Sequence, residues 1–226
     1  MSDGILIFGA TRETGLEVTK LLAGRGEQIT ACVRPASNAT ELKALDVNLF
    51  KGDALKQDDV NAAFASNQFR AAVISLGGER GQVEPRPDLI GAQNVINAAR
   101  QNGVQRILMV TMIGAGDSRN AVSPKVIEVL GEIIEMKTQA EELLVASDLD
   151  YTILRPGGLT SEPGTGTGIS TEDHSVMGVI TREDLARLVV ECLDDDRTIG
   201  KIYHTIDPEI KWQAPLQRGE DLPKRN

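Results

Sequence analysis

The chain has 226 residues, of which 41% are hydrophobic and 25% charged, and its formal net charge is −9. That length suits one large α/β domain with a real core, and the acidic balance argues against a nucleic-acid backbone or an anionic membrane as partner. Aromatics are only 3%, too few for a stacking platform. Cys32 and Cys192 sit in apolar or helical stretches that suggest no disulfide framework or metal site.

The N-terminal residues Met1-Ser2-Asp3-Gly4 lack a basic region, and the apolar run after them is too short for a signal peptide. No stretch approaches transmembrane length, so a cytoplasmic protein is expected. A strand over residues 4–8 runs straight into Gly9-Ala10-Thr11-Arg12-Glu13-Thr14-Gly15, and a helix is expected over 14–23. Strands follow at 28–33, 47–51, 70–76, 105–112, 151–154 and 201–206. Helices are expected at 38–45, 56–65, 88–102, 122–146 and 181–193, the last with Thr181 as N-cap and Asp184 three residues on. Strands alternating with helices imply a single Rossmann-type doubly wound parallel sheet with helices on both faces and a small C-terminal substrate-loop region. The domain is expected over residues 1–207, with 208–226 as a C-terminal arm or tail. Two stretches break the rhythm, 77–87 and 157–178, the second holding Ser161-Glu162-Pro163-Gly164-Thr165-Gly166-Thr167-Gly168. Both leave from the carboxyl ends of strands, where open α/β sheets bind ligands, and they read either as binding loops or as surface slack.

The strand-turn-helix opening carries the chemistry. Its glycines permit a tight turn and close approach of a pyrophosphate, and the helix N-terminus supplies N–H groups and a positive dipole end. Gly9, Thr11, Arg12, Glu13, Thr14 and Gly15 are therefore cofactor-binding candidates, although Arg12 and Glu13 stand where the usual spacing has a third glycine. An NAD site offers a carboxylate at the end of the second strand; this chain offers Arg34 there and no acid until Glu41. A guanidinium grips a 2′-phosphate in a fork geometry, so Arg34 and Arg12 favour NADP(H) over NAD(H).

Gly9–Gly15, Val33-Arg34, Gly52-Asp53, Gly91-Ala92-Gln93-Asn94-Val95, Thr111, Lys137, Tyr151-Thr152-Ile153-Leu154-Arg155-Pro156-Gly157 and Thr181-Arg182-Glu183-Asp184-Leu185-Ala186 occur in that order. In this the chain resembles the atypical short-chain dehydrogenase/reductases, in particular the compact NmrA-like group with biliverdin-IXβ reductase (flavin reductase), over residues 4–208. The resemblance implies that Asp53 and Ala54 meet the adenine, although Asp53 also reads as a helix cap. It implies that Ser75-Leu76-Gly77-Gly78 runs along the cofactor ribose, and it adds Pro156, Gly157 and Leu159 to the cofactor site. Thr111 falls where related enzymes bond a substrate carbonyl, with a buried strand threonine as the rival reading. Lys137 matches the lysine of the Tyr-x-x-x-Lys element, with a surface helix position as its rival, and the tyrosine's place is taken by Ile133. Hydride transfer to a conjugated or carbonyl-bearing small molecule (flavin, quinone, tetrapyrrole or ketone type), with solvent supplying the proton, accommodates that loss. A non-catalytic NAD(P)-sensing regulator and an epimerase- or dehydratase-like enzyme are the alternatives. His174 is either an exposed loop residue or a group that reaches substrate, His204 is expected to be structural, and Trp212 covers a pocket or packs an interface. A small-molecule partner, no metal, no nucleic acid, no membrane, and a monomer or homodimer complete the expectation.

Overall fold

Strand β1 (Gly4–Phe8) is buried at every residue, the pattern that an unbroken apolar run produces when helices cover both faces of a sheet. The computed structural model describes residues 3–78 and 85–211. β1 is followed by α1 (Glu13–Gly24), β2 (Ile29–Val33), α2 (Thr40–Ala44), β3 (Asn48–Lys51), α3 (Gln57–Ala65), β4 (Phe69–Ile74) and α4 (Ile90–Asn102). Then come β5 (Arg106–Val110), α5 (Pro124–Val145), β6 (Asp150–Pro156) and the short strands β7 (Gly158–Thr160), β8 (Ile169–Thr171) and β9 (Val179–Thr181). Helix α6 (Arg182–Leu193) and β10 (Lys201–Ile206) complete the series.

The main sheet has eight strands in the order β3-β2-β1-β4-β5-β6-β10-β8. All pairs are parallel except β10 with β8. The alternation of β1 divides the core in two. Ile5 and Ile7 face Leu16, Val18 and Leu22 of α1 and Leu185 and Val189 of α6. Leu6 and Phe8 face Val60 and Phe64 of α3, Val95 of α4 and Leu144 of α5. The doubly wound sheet expected from the sequence is present, and its order reverses between β1 and β4. A crevice opens there at the carboxyl ends of the strands.

Three expectations change. The stretch 157–178 is not slack: β7 pairs with β9, and β8 adds an antiparallel edge to β10. Its Thr/Gly run is tied down by buried carboxylates. Asp184 accepts from the Thr165 and Gly166 amides at 2.8 and 3.0 Å, and Asp207 accepts from the hydroxyls of Thr165 and Thr167. The long helix begins at Pro124 with Ser123 as N-cap, because a 3₁₀ turn (Gly116–Ala121) occupies the preceding residues. Asp53 does not cap α3, whose N-cap is Lys56; its carboxylate instead accepts from the Leu55 amide at 3.0 Å. Thr181 caps α6 as expected and accepts from the Asp184 amide. Trp212, the tail from 212 on and residues 79–84 lie outside the described residues. Among the described residues no helix is long and apolar enough to cross a membrane, no cluster of His, Cys, Asp or Glu could hold a metal ion, and both cysteines are buried and free.

Candidate functional site

The crevice between β1 and β4 has an outer end toward β2 and an inner end toward β5 and α5. At its centre the turn after β1 is built by close backbone approach. A Cβ on Gly9, which has φ +91°, would lie 2.1 Å from the Ser75 carbonyl oxygen, and one on Gly15 would lie 2.2 Å from the Gly9 oxygen. Only glycine fits at either position. Arg12 is the N-cap of α1 in extended backbone and gives the helix no side-chain cap, so the amides of the first turn look for acceptors outside the helix. The positive φ that the missing glycine would have taken falls on Glu13, at 52°. That places a non-glycine residue in the left-handed region, at a cost on the order of 1 kcal/mol.

The outer end is cationic. Arg12, Arg34, Pro35, Ala36, Ser37, Asn38, Thr11 and Asp53 line an annex beside the main crevice, and Arg12 also donates to the Gly77 carbonyl at 3.3 Å. Cys32 forms part of the floor. Burial, with Asp59 and Asp53 nearby, pushes its thiol up to about 12, so it is a neutral packing group rather than a nucleophile.

The inner end is built from buried charges. Lys137, a sequence candidate, is not a surface residue: it is 8% exposed and lines the crevice. Its ammonium donates to the Leu76 carbonyl at 2.5 Å and lies 3.3 Å from Asp88 Oδ1. Thr111 also lines the crevice, but its hydroxyl donates to Glu141 Oε1 at 2.6 Å. Glu141 is held by Arg155 through bonds of 3.1, 3.2 and 2.7 Å. The one proton of Thr111 is thus committed, and the hydroxyl faces the crevice as an acceptor rather than as the expected donor to a substrate carbonyl. Arg155 reaches on to Asp117 at 2.5 Å. Burial alone would raise the Asp117 carboxyl, but Arg155 and His174 bring it down to about 2.

His174 is not free to meet a substrate. Its Nδ1 is 2.9 Å from Asp117, its Nε2 is 3.0 Å from the Ile202 carbonyl, and its ring stacks on His204 at 4.9 Å. His204 is structural, as expected: it is fully buried, bonds the Val176 carbonyl through Nδ1 and is shifted toward the neutral form by burial. Ile133 is half-buried on α5. Among the described residues that line the crevice there is no tyrosine and no histidine.

Gly9, Thr11, Arg12, Glu13, Thr14, Arg34, Asp53, Ala54, Leu76, Gly77, Thr111, Lys137 and Leu159 therefore share one crevice. Gly15, Pro156 and Gly157 are not on its wall. Gly15 seats α1 on the turn, Pro156 accepts from the Ile113 amide at 2.9 Å, and a Cβ on Gly157 would lie 2.1 Å from the Gly178 oxygen. Asp88, Glu141 and Asp117 went unread in the sequence. Asp88, just ahead of α4, and Glu141, one of an adjacent pair with Glu142, have no motif around them. Glu141 alone left a faint signal, as it falls one helical turn after Lys137.

An open helix N-terminus, a glycine approach that no side chain could fill, cations at the outer end and an ammonium beside Leu76 at the inner end are the fittings of a dinucleotide site. The comparisons agree. The sequence profile of the NAD(P)H-binding family matches residues 9–196, and the chain belongs to that family. It is 30% identical to a Bacillus subtilis protein named "Uncharacterized sugar epimerase YhfK" over 218 residues, 95% of this chain and 99% of that one. An uncharacterized chloroplastic protein of Arabidopsis thaliana is 27% identical over 228 residues, 96% of this chain and 80% of that one. Among solved structures, ChuY of Escherichia coli, titled an anaerobillin reductase, superposes with a TM-score of 0.84 at 30% identity, covering 93% of this chain and 100% of that one. The protein is thus an NAD(P)H-binding protein of Rossmann-like fold with reductases among its neighbours.

Proposed function

We propose that the protein is a cytoplasmic, NADP(H)-dependent oxidoreductase, monomeric or homodimeric, acting on a small conjugated or carbonyl-bearing molecule. The observation that carries this reading is the arginine pair in the annex, Arg12 and Arg34, with Ser37 and Asn38 beside it and no carboxylate at the end of β2. That set suits a phosphate on the adenosine ribose and leaves the 2′-hydroxyl of NAD without its usual acceptor. When bound, the nicotinamide supplies or accepts a hydride.

The chain's own residues bind, orient and exclude water. The α1 amides and the glycine turn take the pyrophosphate, Asp53 and Ala54 border the adenine, and Lys137 reaches the inner ribose. Thr111 accepts a hydrogen bond at the inner end, and Leu159 closes the crevice from the β7 side. With Ile133 in the tyrosine's place, the described crevice wall offers no general acid of the usual kind. An acceptor that spreads its developing charge over a conjugated system tolerates this, since a general acid is typically worth about 10²–10⁴-fold in rate.

The test is NADPH oxidation by the purified protein against flavins, quinones, linear tetrapyrroles and ketones. Turnover with a conjugated acceptor and little with simple ketones is expected. Tight NADPH binding without turnover on any of them would contradict the oxidoreductase reading. It would favour the second one, a nucleotide-sensing regulator, for which the absence of tyrosine and histidine from the described crevice wall already speaks.

A further inference from the structure

Asp88 sits just ahead of α4, in the segment that leads from the crevice into the helix. It is 2% exposed, and its two oxygens do different things. Oδ1 faces the Lys137 ammonium at 3.3 Å. Oδ2 accepts from the Gly78 amide at 3.1 Å and from Arg86 Nε at 3.1 Å, with Arg86 Nη2 also at 3.1 Å. One buried carboxylate therefore ties Lys137 to the strap that leaves β4. The same strap meets the outer end of the crevice, where Arg12 donates to the Gly77 carbonyl.

A lysine has three ammonium protons. Here one goes to the Leu76 carbonyl, the charge is paired with Asp88 at 3.3 Å, and donor capacity remains for the crevice that Lys137 lines. A buried ammonium without a carboxylate partner carries a heavy desolvation penalty, and a four-carbon side chain without a second anchor loses its direction.

We infer that Asp88 is the positioning residue for Lys137. It fixes the ammonium that meets the inner ribose, and it couples that ammonium to the Gly77–Gly78 strap. The inference rests on the dinucleotide reading above. It also predicts something that reading does not: with an acceptor for the Gly78 amide kept, removing the charge of Asp88 weakens the inner half of the ligand and not the outer half, through Lys137.

The experiment titrates Asp88→Asn, Lys137→Met and the double variant with NADPH and with adenosine 2′,5′-bisphosphate, which lacks the inner ribose and nicotinamide. Asparagine keeps one acceptor for the Gly78 amide and removes the charge. Asp88→Asn is expected to weaken NADPH about tenfold, the scale of one charge-assisted hydrogen bond. It should leave the bisphosphate unchanged and add nothing in the Lys137→Met background. Equal weakening of both ligands, an unchanged NADPH affinity, or additive effects in the double variant would overturn the inference. If the wild-type protein bound neither ligand, the dinucleotide reading itself would fail, a separate outcome. Hydrogen exchange on the wild type gives the answer without any variant. The Gly78 amide should gain protection with NADPH and not with the bisphosphate, and equal protection by both would contradict the coupling.

Discussion

The outer and inner ends of the crevice are made in different ways. From the centre to the outer end the backbone and a few loop side chains do the work. Gly9 and Gly15 allow a turn and a helix start to interlock at distances no side chain permits, and the arginines stand on exposed loop positions. At the inner end the side chains do it. Lys137, Asp88, Thr111, Glu141 and Arg155 are buried ions and hydroxyls brought together from the end of β5, α5, β6 and the segment ahead of α4. Binding can be specified by a local motif. Orientation for chemistry requires contacts between residues far apart in the chain.

The contrast can be broken most severely at the inner end. Arg155→Met leaves the carboxylate of Glu141 buried and unpaired. It should cost about 3–5 kcal/mol in a urea unfolding experiment; a loss below about 1 kcal/mol would mean that water already shares the cluster.

The acid-tethered Thr/Gly run beside the crevice gives a graded test. Burial would raise the Asp184 carboxyl, but the Thr165 amide, the Thr181 hydroxyl and the Gly166 amide outweigh it and hold the carboxyl below its ordinary value. A group depressed in the folded state stabilises fully above its unfolded value, and that contribution fades as the pH falls toward the folded one. Asp184→Asn should therefore destabilise at neutral pH, and the gap from wild type should stay constant down to about pH 5 and narrow as the pH falls through and below the ordinary carboxylate value of about 4. A gap independent of pH would show that the tether works without its charge.

The smallest effect belongs to the outer turn. Glu13→Gly removes a side chain from a left-handed residue and should raise stability by roughly 0.5–1 kcal/mol, measured by thermal unfolding. It also takes a carboxylate away from the crevice, so NADPH should bind slightly tighter. A loss of stability would mean that the ion pair of Glu13 with Arg182, at 3.8 Å, outweighs the strain.

What was legible in the sequence follows the same divide. The sheet could be read because β1, β4 and β5 carry apolar runs, at residues 5–8, 71–74 and 107–110, between helical patterns. The outer end could be read because its residues fall in short runs at the carboxyl ends of the first strands, the Gly9–Gly15 turn and Arg34 after β2. The edge strand β8 was missed because Ile169–Thr171 is three residues long and its partner is remote. The commitment of the Thr111 proton was missed for a related reason: nothing near Thr111 in the chain points to Glu141. Lys137 was found through resemblance alone, and its partner Asp88, far from it in sequence, was not.

In the proposed function, the crevice holds a dinucleotide with its 2′-phosphate gripped at the outer end. Calorimetric titration of the wild type and of Arg34→Ala with NADPH and NADH tests it most directly. Wild-type protein should prefer NADPH, and Arg34→Ala should lose roughly 10- to 100-fold for NADPH while NADH is unchanged. Equal losses for both, or no preference in the wild type, would contradict it.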